Sequence, residues 1–436
     1  MASIWEATAK LPTFAPQKGD AETDTLIIGG GVTGILLAHE LQQRGQKYLL
    51  VERGHIGGST TGGTTAKITV QHGACYQKLL KEGFEVAEKY LAANEEALSR
   101  YAALCRGIDC DWTRQDSFLF ARDDETTLVN ELNALRLLGA EAEWCDAPAL
   151  PFDTVGAVRM PGQAHFHPLR FLAAIAKDLA ICEQTPVREL DGLTAITDNG
   201  RIRARRVVVA TRFPILNKHG LYWMKLYQSR SYFIALEGAP AVGGMYRDTD
   251  PKGLSLCDAG QYLLIGGGAQ RPGKPGARWE SARDMHLAAC PEAVERFAWA
   301  AEDAMSLDGI PYIGRYAPRT EGLYVAAGFN KWGMTGAMVA SRLLADALTG
   351  ERLPDWADIF DPARCMIKPH LLVNGFESVK GLLTPTTPRC PHLGCALQKT
   401  EAERAWECSC HGSRFSMDGT LLDGPATVDL PPEKLP

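Results

Sequence analysis

Two short runs gather side chains that hold metals. Cys390-x-His392 is followed, after fifteen residues, by Cys408-x-x-His411, and Cys395 and Cys410 stand beside them. Four of the chain's twelve cysteines and two of its ten histidines thus fall within one short segment. A zinc knot, a disulfide clamp and an electron carrier are the possible readings. Zinc fingers more often use C-x(2–4)-C pairs, so the C-x-H half is unusual for zinc. Two thiolates and two imidazoles suit a [2Fe–2S] centre with cysteines on one iron and histidines on the other. Neutral imidazole in place of anionic thiolate leaves the cluster less negative and easier to reduce. The expected metal ligands are Cys390, His392, Cys408 and His411.

A second chemical signature lies far upstream. Gly29-Gly30-Gly31-Val32-Thr33-Gly34 matches G-x-G-x-x-G, preceded by the apolar run Thr25 to Ile28 and followed by a helix pattern and a second strand ending at Glu52. That frame makes it a dinucleotide fingerprint. Gly29 allows the tight turn, Gly31 lets the backbone approach a pyrophosphate, and Gly34 lets the helix pack close to the strand. The helix N-terminus favours phosphate charge. Glu52 can accept hydrogen bonds from ribose hydroxyls, and Arg53 follows it. The fingerprint does not by itself choose between FAD and NAD. Downstream, "GGSTTGGTTAK" offers Ser59, Thr64 and Thr65 to wrap a pyrophosphate–ribityl chain, and "RRVVVAT" ends at Ala210-Thr211. "GLYVAAGFNKWGMTGAMVASRLL" reads as a strand, a Gly-rich turn and a helix start.

Together these stretches resemble the D-amino-acid oxidase/sarcosine oxidase superfamily of flavoproteins over about residues 20–352. The resemblance implies FAD. It also implies that Gly333, Met334 and Thr335 set a helix N-terminus against the flavin pyrimidine ring, where reduced flavin carries negative charge. Val187 matches the position whose backbone meets adenine. No second G-x-G-x-x-G occurs, which argues against a pyridine-nucleotide-dependent reductase. "CPHLGC" and "CSCHGS" resemble the two loops of a Rieske protein of the quinol-oxidising type. That resemblance implies a disulfide between Cys395 and Cys410, a covering loop at Gly424 to Ala426, and a hydrogen bond from Ser413 to the cluster. Phe415 stands where high-potential members have tyrosine, so the expected potential lies below the respiratory extreme and above that of ordinary ferredoxins.

The elements that must position these groups follow an α/β plus α+β plan. A Rossmann-type FAD-binding domain (about 20–75, 153–215 and 306–352) carries an inserted substrate domain (about 76–152 and 216–305). A linker and reduced Rieske base (353–388) lead to a small all-β Rieske domain (389–436). A long helix is expected over roughly Tyr76 to Leu104. The length of 436 residues suits two or three domains. A net charge of −6 argues against a nucleic-acid partner. No apolar run of about 20 residues is present, so no transmembrane segment is expected. The first residues lack the basic start and apolar core of a signal peptide, so the expected location is the cytoplasm.

The expected function is an oxidoreductase acting on an amine or amino acid (CH–NH or CH–NH2), passing electrons from FAD to the cluster and on to an acceptor protein or quinone. An electron-transfer reductase running the other way and a non-catalytic redox sensor are the alternatives. Arg230 and Tyr232 are candidates for the substrate carboxylate, Lys331 and Trp332 for the border of the flavin ring, and His72 for a place near it.

Overall fold

The computed structural model describes residues 2–146, 149–216, 218–365, 367–385, 388–432 and 435. Its first sheet grows from β-branched runs. Ala21–Ile28 lies between Tyr48–Val51 and Gly200–Val209, both parallel to it, and Leu323–Ala327 adds in parallel beyond Gly200–Val209. Leu26, Ile27, Val207 and Val208 are fully buried, as strands covered on both faces require. The helix Val32–Gln43 crosses over this sheet. It stops where Gly45, at φ +64°, turns the chain and the Gly45 and Gln46 amides bond to the Gln42 and Leu41 carbonyls. The helix Gly333–Thr349 packs beside it and ends at Gly350, φ +74°. A buried Arg44–Asp346 ion pair at 2.8 Å ties the two helices.

A second, nine-stranded sheet runs from Val294–Ser306 through Leu226–Glu237 and Tyr262–Gln270 to Thr113–Ala121 and Gly156–His165. By position, Gly156–His165 falls in the stretch expected for the FAD-binding domain (about 153–215). Its hydrogen bonds instead run antiparallel to Thr113–Ala121, so it belongs to the substrate sheet. The long helix expected over Tyr76 to Leu104 is two helices, Tyr76–Glu82 and Phe84–Leu104, because Gly83 at φ +141° cannot continue either one.

Behind the flavoprotein part, Leu397–Thr400, Ala405–Cys408, Arg414–Ser416 and Leu421–Asp423 form an antiparallel meander. Cys390, Cys395, Leu397, Trp406, Cys408, Cys410 and Phe415 are its core. The stretch read as linker and reduced base contains no strand among its described residues. It holds the helix Pro369–Leu383, which spans the junction. No helix among the described residues is long and apolar enough to cross a membrane.

Candidate functional site

The fingerprint turn is built from contacts that only glycine permits. A Cβ on Gly34 would lie 2.0 Å from the Gly29 carbonyl oxygen, and one on Gly29 would lie 2.6 Å from that of Ala210. Glu52 sits at the end of its strand with one carboxylate oxygen accepting the Gly30 amide (2.7 Å) and the other the Gly54 amide (2.8 Å). The amide of Val32, in the first helical turn, donates to Thr61 Oγ1 at 3.1 Å. Sequence alone does not single out Thr61, because nothing local distinguishes it from Thr60, Thr64 and Thr65.

These groups open onto a cavity of about 1240 Å³. Gly29, Gly31, Glu52, Arg53, Ser59, Thr64, Thr65, Val187, Ala210, Thr211, Gly333 and Met334 all line it. Gly34 and Thr335 do not: Gly34 is buried in the helix–strand contact, and the Thr335 hydroxyl bonds His72 Nε2 at 2.9 Å. The glycine cradle, an oriented carboxylate, a wall that includes Val187 and a helix N-terminus at Gly333 fit FAD, whose negative charge near the pyrimidine ring a helix start favours.

The far end of the cavity is aromatic and cationic. Trp332 stacks on His72, centroids 4.8 Å apart and planes 12° from parallel. His72 Nε2 faces the Thr69 carbonyl at 2.8 Å, which fixes the proton on Nε2; Nδ1 then accepts from Tyr90 Oη at 2.8 Å. Burial pushes the His72 pKa down to about 3, so the ring is neutral and both nitrogens are engaged. Asn330 and Lys331 both adopt left-handed backbone, φ +54° and +74°, held because the Asn330 side chain bonds the Ser306 amide and the Gly328 carbonyl. Two such residues in succession mark a strained turn at a ligand cavity. Burial and the neighbouring Arg247 bring the Lys331 pKa down to about 8, against the pull of Asp303. Arg247 lines the same end and, among the described residues, bonds backbone carbonyls, those of Gly253, Asp250 and Pro251. Lys67 is also there, bound to the Tyr246 carbonyl and Ser255. Sequence reading missed Arg247 and Lys67: each lies in an ordinary strand pattern.

Arg230 borders the cavity and Tyr232 does not line it, and both spend their polar groups on the chain's own carboxylates. Arg230 Nε donates to Glu403 at 3.0 Å, its Nη2 pairs with the same carboxylate, and Nη1 reaches Glu302 at 3.3 Å. Tyr232 Oη donates to Glu403 at 3.2 Å. Every guanidinium nitrogen of Arg230 is therefore occupied by the chain's own carboxylates. Both residues join the substrate sheet to the C-terminal meander. Arg414 extends the network to Glu403 (2.7 Å) and Glu407 (3.1 Å). Arg212 bridges Asp423 (2.8 Å) and Glu302 (3.4 Å), and Ser59 donates to Asp423 at 2.8 Å. Arg53 reaches the Leu422 carbonyl at 3.2 Å. Burial works against the Asp423 anion, yet Arg212 and its hydrogen bond hold the pKa well below the usual carboxylate range. Burial raises Glu302 to about 7 despite Arg212 and Arg230. Removing one partner from such a network would leave a buried charge uncompensated.

The metal-ligand candidates converge from two loops. Cys390 and Cys408 thiols are in hydrogen-bond contact, and the His392 and His411 rings meet edge-on at 4.9 Å. His411 is buried beside the Cys408 thiol, and neither ring nitrogen has an oxygen or nitrogen partner at hydrogen-bond distance among the described residues. Cys395 and Cys410 are free thiols in contact with each other. The sulfurs of Cys395, Cys408 and Cys410 lie within 4.8 Å of one another, a compact three-thiol alternative. The buried His411 nitrogens favour the two-cysteine, two-histidine set, since a metal satisfies them. Ser413 Oγ accepts the Ala426 amide at 3.1 Å and also reaches Cys390. Phe213, two residues past Thr211, meets His411 at 5.8 Å and His392 at 6.2 Å, both edge-on. The histidine edge of the loops thus packs on Phe213.

Comparison with known proteins identifies the two parts of the chain. A family model for FAD dependent oxidoreductases matches residues 24–347, and a model for the Rieske [2Fe-2S] domain matches residues 363–433. The Bacillus subtilis chain YhfW, described as a Rieske 2Fe-2S iron-sulfur protein, is 29% identical, covering 98% of this chain and 96% of its own. Glycine oxidase of Bacillus subtilis is 24% identical over 77% of this chain and 96% of its own. The crystal structure of glycine oxidase from Geobacillus kaustophilus superposes with a TM-score of 0.66 at 19% identity, covering 79% of this chain and 99% of that one. That likeness concerns the fold.

Proposed function

Because the chain belongs to the FAD dependent oxidoreductase family and ends in a Rieske [2Fe-2S] domain, we propose that it dehydrogenates an amino acid or a related amine carrying a carboxylate. Its electrons then leave through the cluster to an external acceptor. When bound, FAD supplies two-electron acceptance from a C–N centre and the cluster supplies one-electron transfer. The proposed ligands of the cluster are Cys390, His392, Cys408 and His411. The observation that carries the reading is the seating of the histidine edge on Phe213. Phe213 stands two residues beyond Ala210-Thr211, which line the cofactor cavity. The direction from flavin to cluster suits this seating, because the inward edge faces the donor.

Arg247 and Lys331 replace Arg230 as the proposed carboxylate anchors. Both face the cavity, and neither makes an ion pair in the chain itself among the described residues. Phe233 and Trp299, stacked at 5.6 Å, give the same end an apolar wall. Trp332 and neutral His72 close the ring side. No side chain there needs to take a proton if the substrate arrives as a free amine and loses hydride.

The test is an anaerobic titration of the holoprotein with a panel of amino acids and N-methylated amino acids. A substrate should bleach the flavin band first and the Rieske bands after it. If every compound leaves the flavin oxidised while a reduced carrier protein reduces both centres, the chain runs as a reductase and the proposal fails.

A pH dependence follows from Lys331. Its ammonium form is present below about pH 8 and is lost above it, so kcat/KM for a carboxylate substrate should fall as pH rises through 8. Lys331→Arg, which stays charged, should remove that alkaline fall. Arg247→Gln should raise KM by roughly 10- to 100-fold, the loss of one charge-assisted contact, with a smaller change in kcat.

A further inference from the structure

The helix Pro369–Leu383 is amphipathic the wrong way round. Its buried positions, Asn374, Ser378 and Gly381, recur at i, i+4 and i+7 and are polar or small. Asn374 donates to the Met224 carbonyl and accepts from Arg271, fastening the helix to the flavoprotein part. Gly381 abuts the Rieske loops: its carbonyl accepts the Ala396 amide at 2.9 Å, and a Cβ there would lie 2.4 Å from Cys410 Sγ. The outward face carries Leu372, Val373, Phe376, Val379, Leu382 and Leu383, with Ile367 just before the helix. Leu372, Phe376, Leu383 and Ile367 are each more than two-thirds exposed. This patch is on the order of 800 Å² of apolar surface, more than the roughly 300–600 Å² of the largest patch on a typical monomer.

Its charge indicates what covers it. Lys380 on the helix and Arg389 beyond it make no ion pair among the described residues, and Arg389 bonds only the carbonyls of Leu382, Thr384 and Gly394. The helix's one acid, Glu377, is neutralised by Lys274 at 2.8 Å. The face is therefore apolar with a positive rim in a chain of net charge −6. Two copies packed through it would set the same cations against each other with no acid on the face to pair with them. We propose that this helix lies in the interface of a bilayer containing anionic lipids, apolar face down, as an in-plane anchor. The Cys395–Cys410 edge of the Rieske loops would then sit about one helix diameter, ~10 Å, from the lipid. The histidine edge faces the flavoprotein interior.

The test is flotation of the full holoprotein with vesicles of phosphatidylglycerol and phosphatidylethanolamine, against pure phosphatidylcholine. The protein should float with the anionic vesicles, and several-fold less at high salt or with phosphatidylcholine. Leu372→Ser/Phe376→Ser should cut the bound fraction at least ~tenfold, and Lys380→Glu should weaken anionic binding a few-fold. Wild-type FAD content and Rieske spectra in each variant show that the fold is kept. The proposal is overturned if the wild type does not float or if the double variant floats equally well. It also falls if light scattering without vesicles shows a dimer that the double variant dissolves, or if only a soluble acidic protein binds the face.

Discussion

His411→Ala is expected to give a protein that keeps FAD and loses its [2Fe–2S] cluster. The imidazole is buried, its nitrogens have no oxygen or nitrogen partner at hydrogen-bond distance among the described residues, and it sits between His392 and Phe213. Loss of a group that merely orients a ligand commonly costs 10–100-fold in metal affinity, so loss of a ligand should cost more than about 100-fold. Iron should fall from about two per chain toward zero, and the electron paramagnetic resonance signal of the reduced protein should vanish. The flavin spectrum should persist, because the glycine cradle and Glu52 lie on the other side of the junction. Cys395→Ser separates the two possible ligand sets. It should retain iron if two cysteines and two histidines hold the cluster. If it loses iron while His411→Ala keeps it, the three close sulfurs of Cys395, Cys408 and Cys410 are the metal site instead.

What the sequence made legible is what is local. The fingerprint turn and the two Cys/His loops each compress a function into a few residues, and the α/β core with a small β domain behind it follows from them. The misreadings share a different physical origin. Arg230 looked like a substrate anchor because its partner, Glu403, lies far away in the chain and across a domain boundary. Phe213, Arg212 and Glu302 drew no notice for the same reason: their roles exist only once the C-terminal meander docks. Gly83 broke a helix whose apolar pattern runs through it, since periodicity does not register a backbone at φ +141°. The junction helix escaped because its pattern is inverted. A helix is recognised by the assumption that apolar positions face the core, and here Asn374, Ser378 and Gly381 face it.

Gly34→Ala should abolish FAD retention, and the reason separates glycines that build the cradle from those that leave room for a ligand. The added methyl would stand 2.0 Å from the Gly29 carbonyl oxygen, a backbone atom. Gly29 cannot retreat, because its own face is against the Ala210 carbonyl, 2.6 Å from where a Cβ would be. The turn that presents its amides to the pyrophosphate must therefore move, at an overpacking cost of roughly 1–3 kcal/mol or more. Flavin absorbance per chain after desalting should drop to background, and the melting temperature should fall even without added FAD. Gly31→Ala should be milder for stability, since its Cβ would meet the Thr61 hydroxyl at 3.2 Å, while FAD affinity should still fall because the methyl stands where the backbone must approach the pyrophosphate. Gly333→Ala makes the contrast sharp. A Cβ there meets no protein atom within 4 Å, so the apoprotein should melt as the wild type does, while FAD affinity falls because the methyl intrudes where the ring would lie. Equal FAD affinity in Gly333→Ala and wild type would mean that this helix start does not contact the flavin.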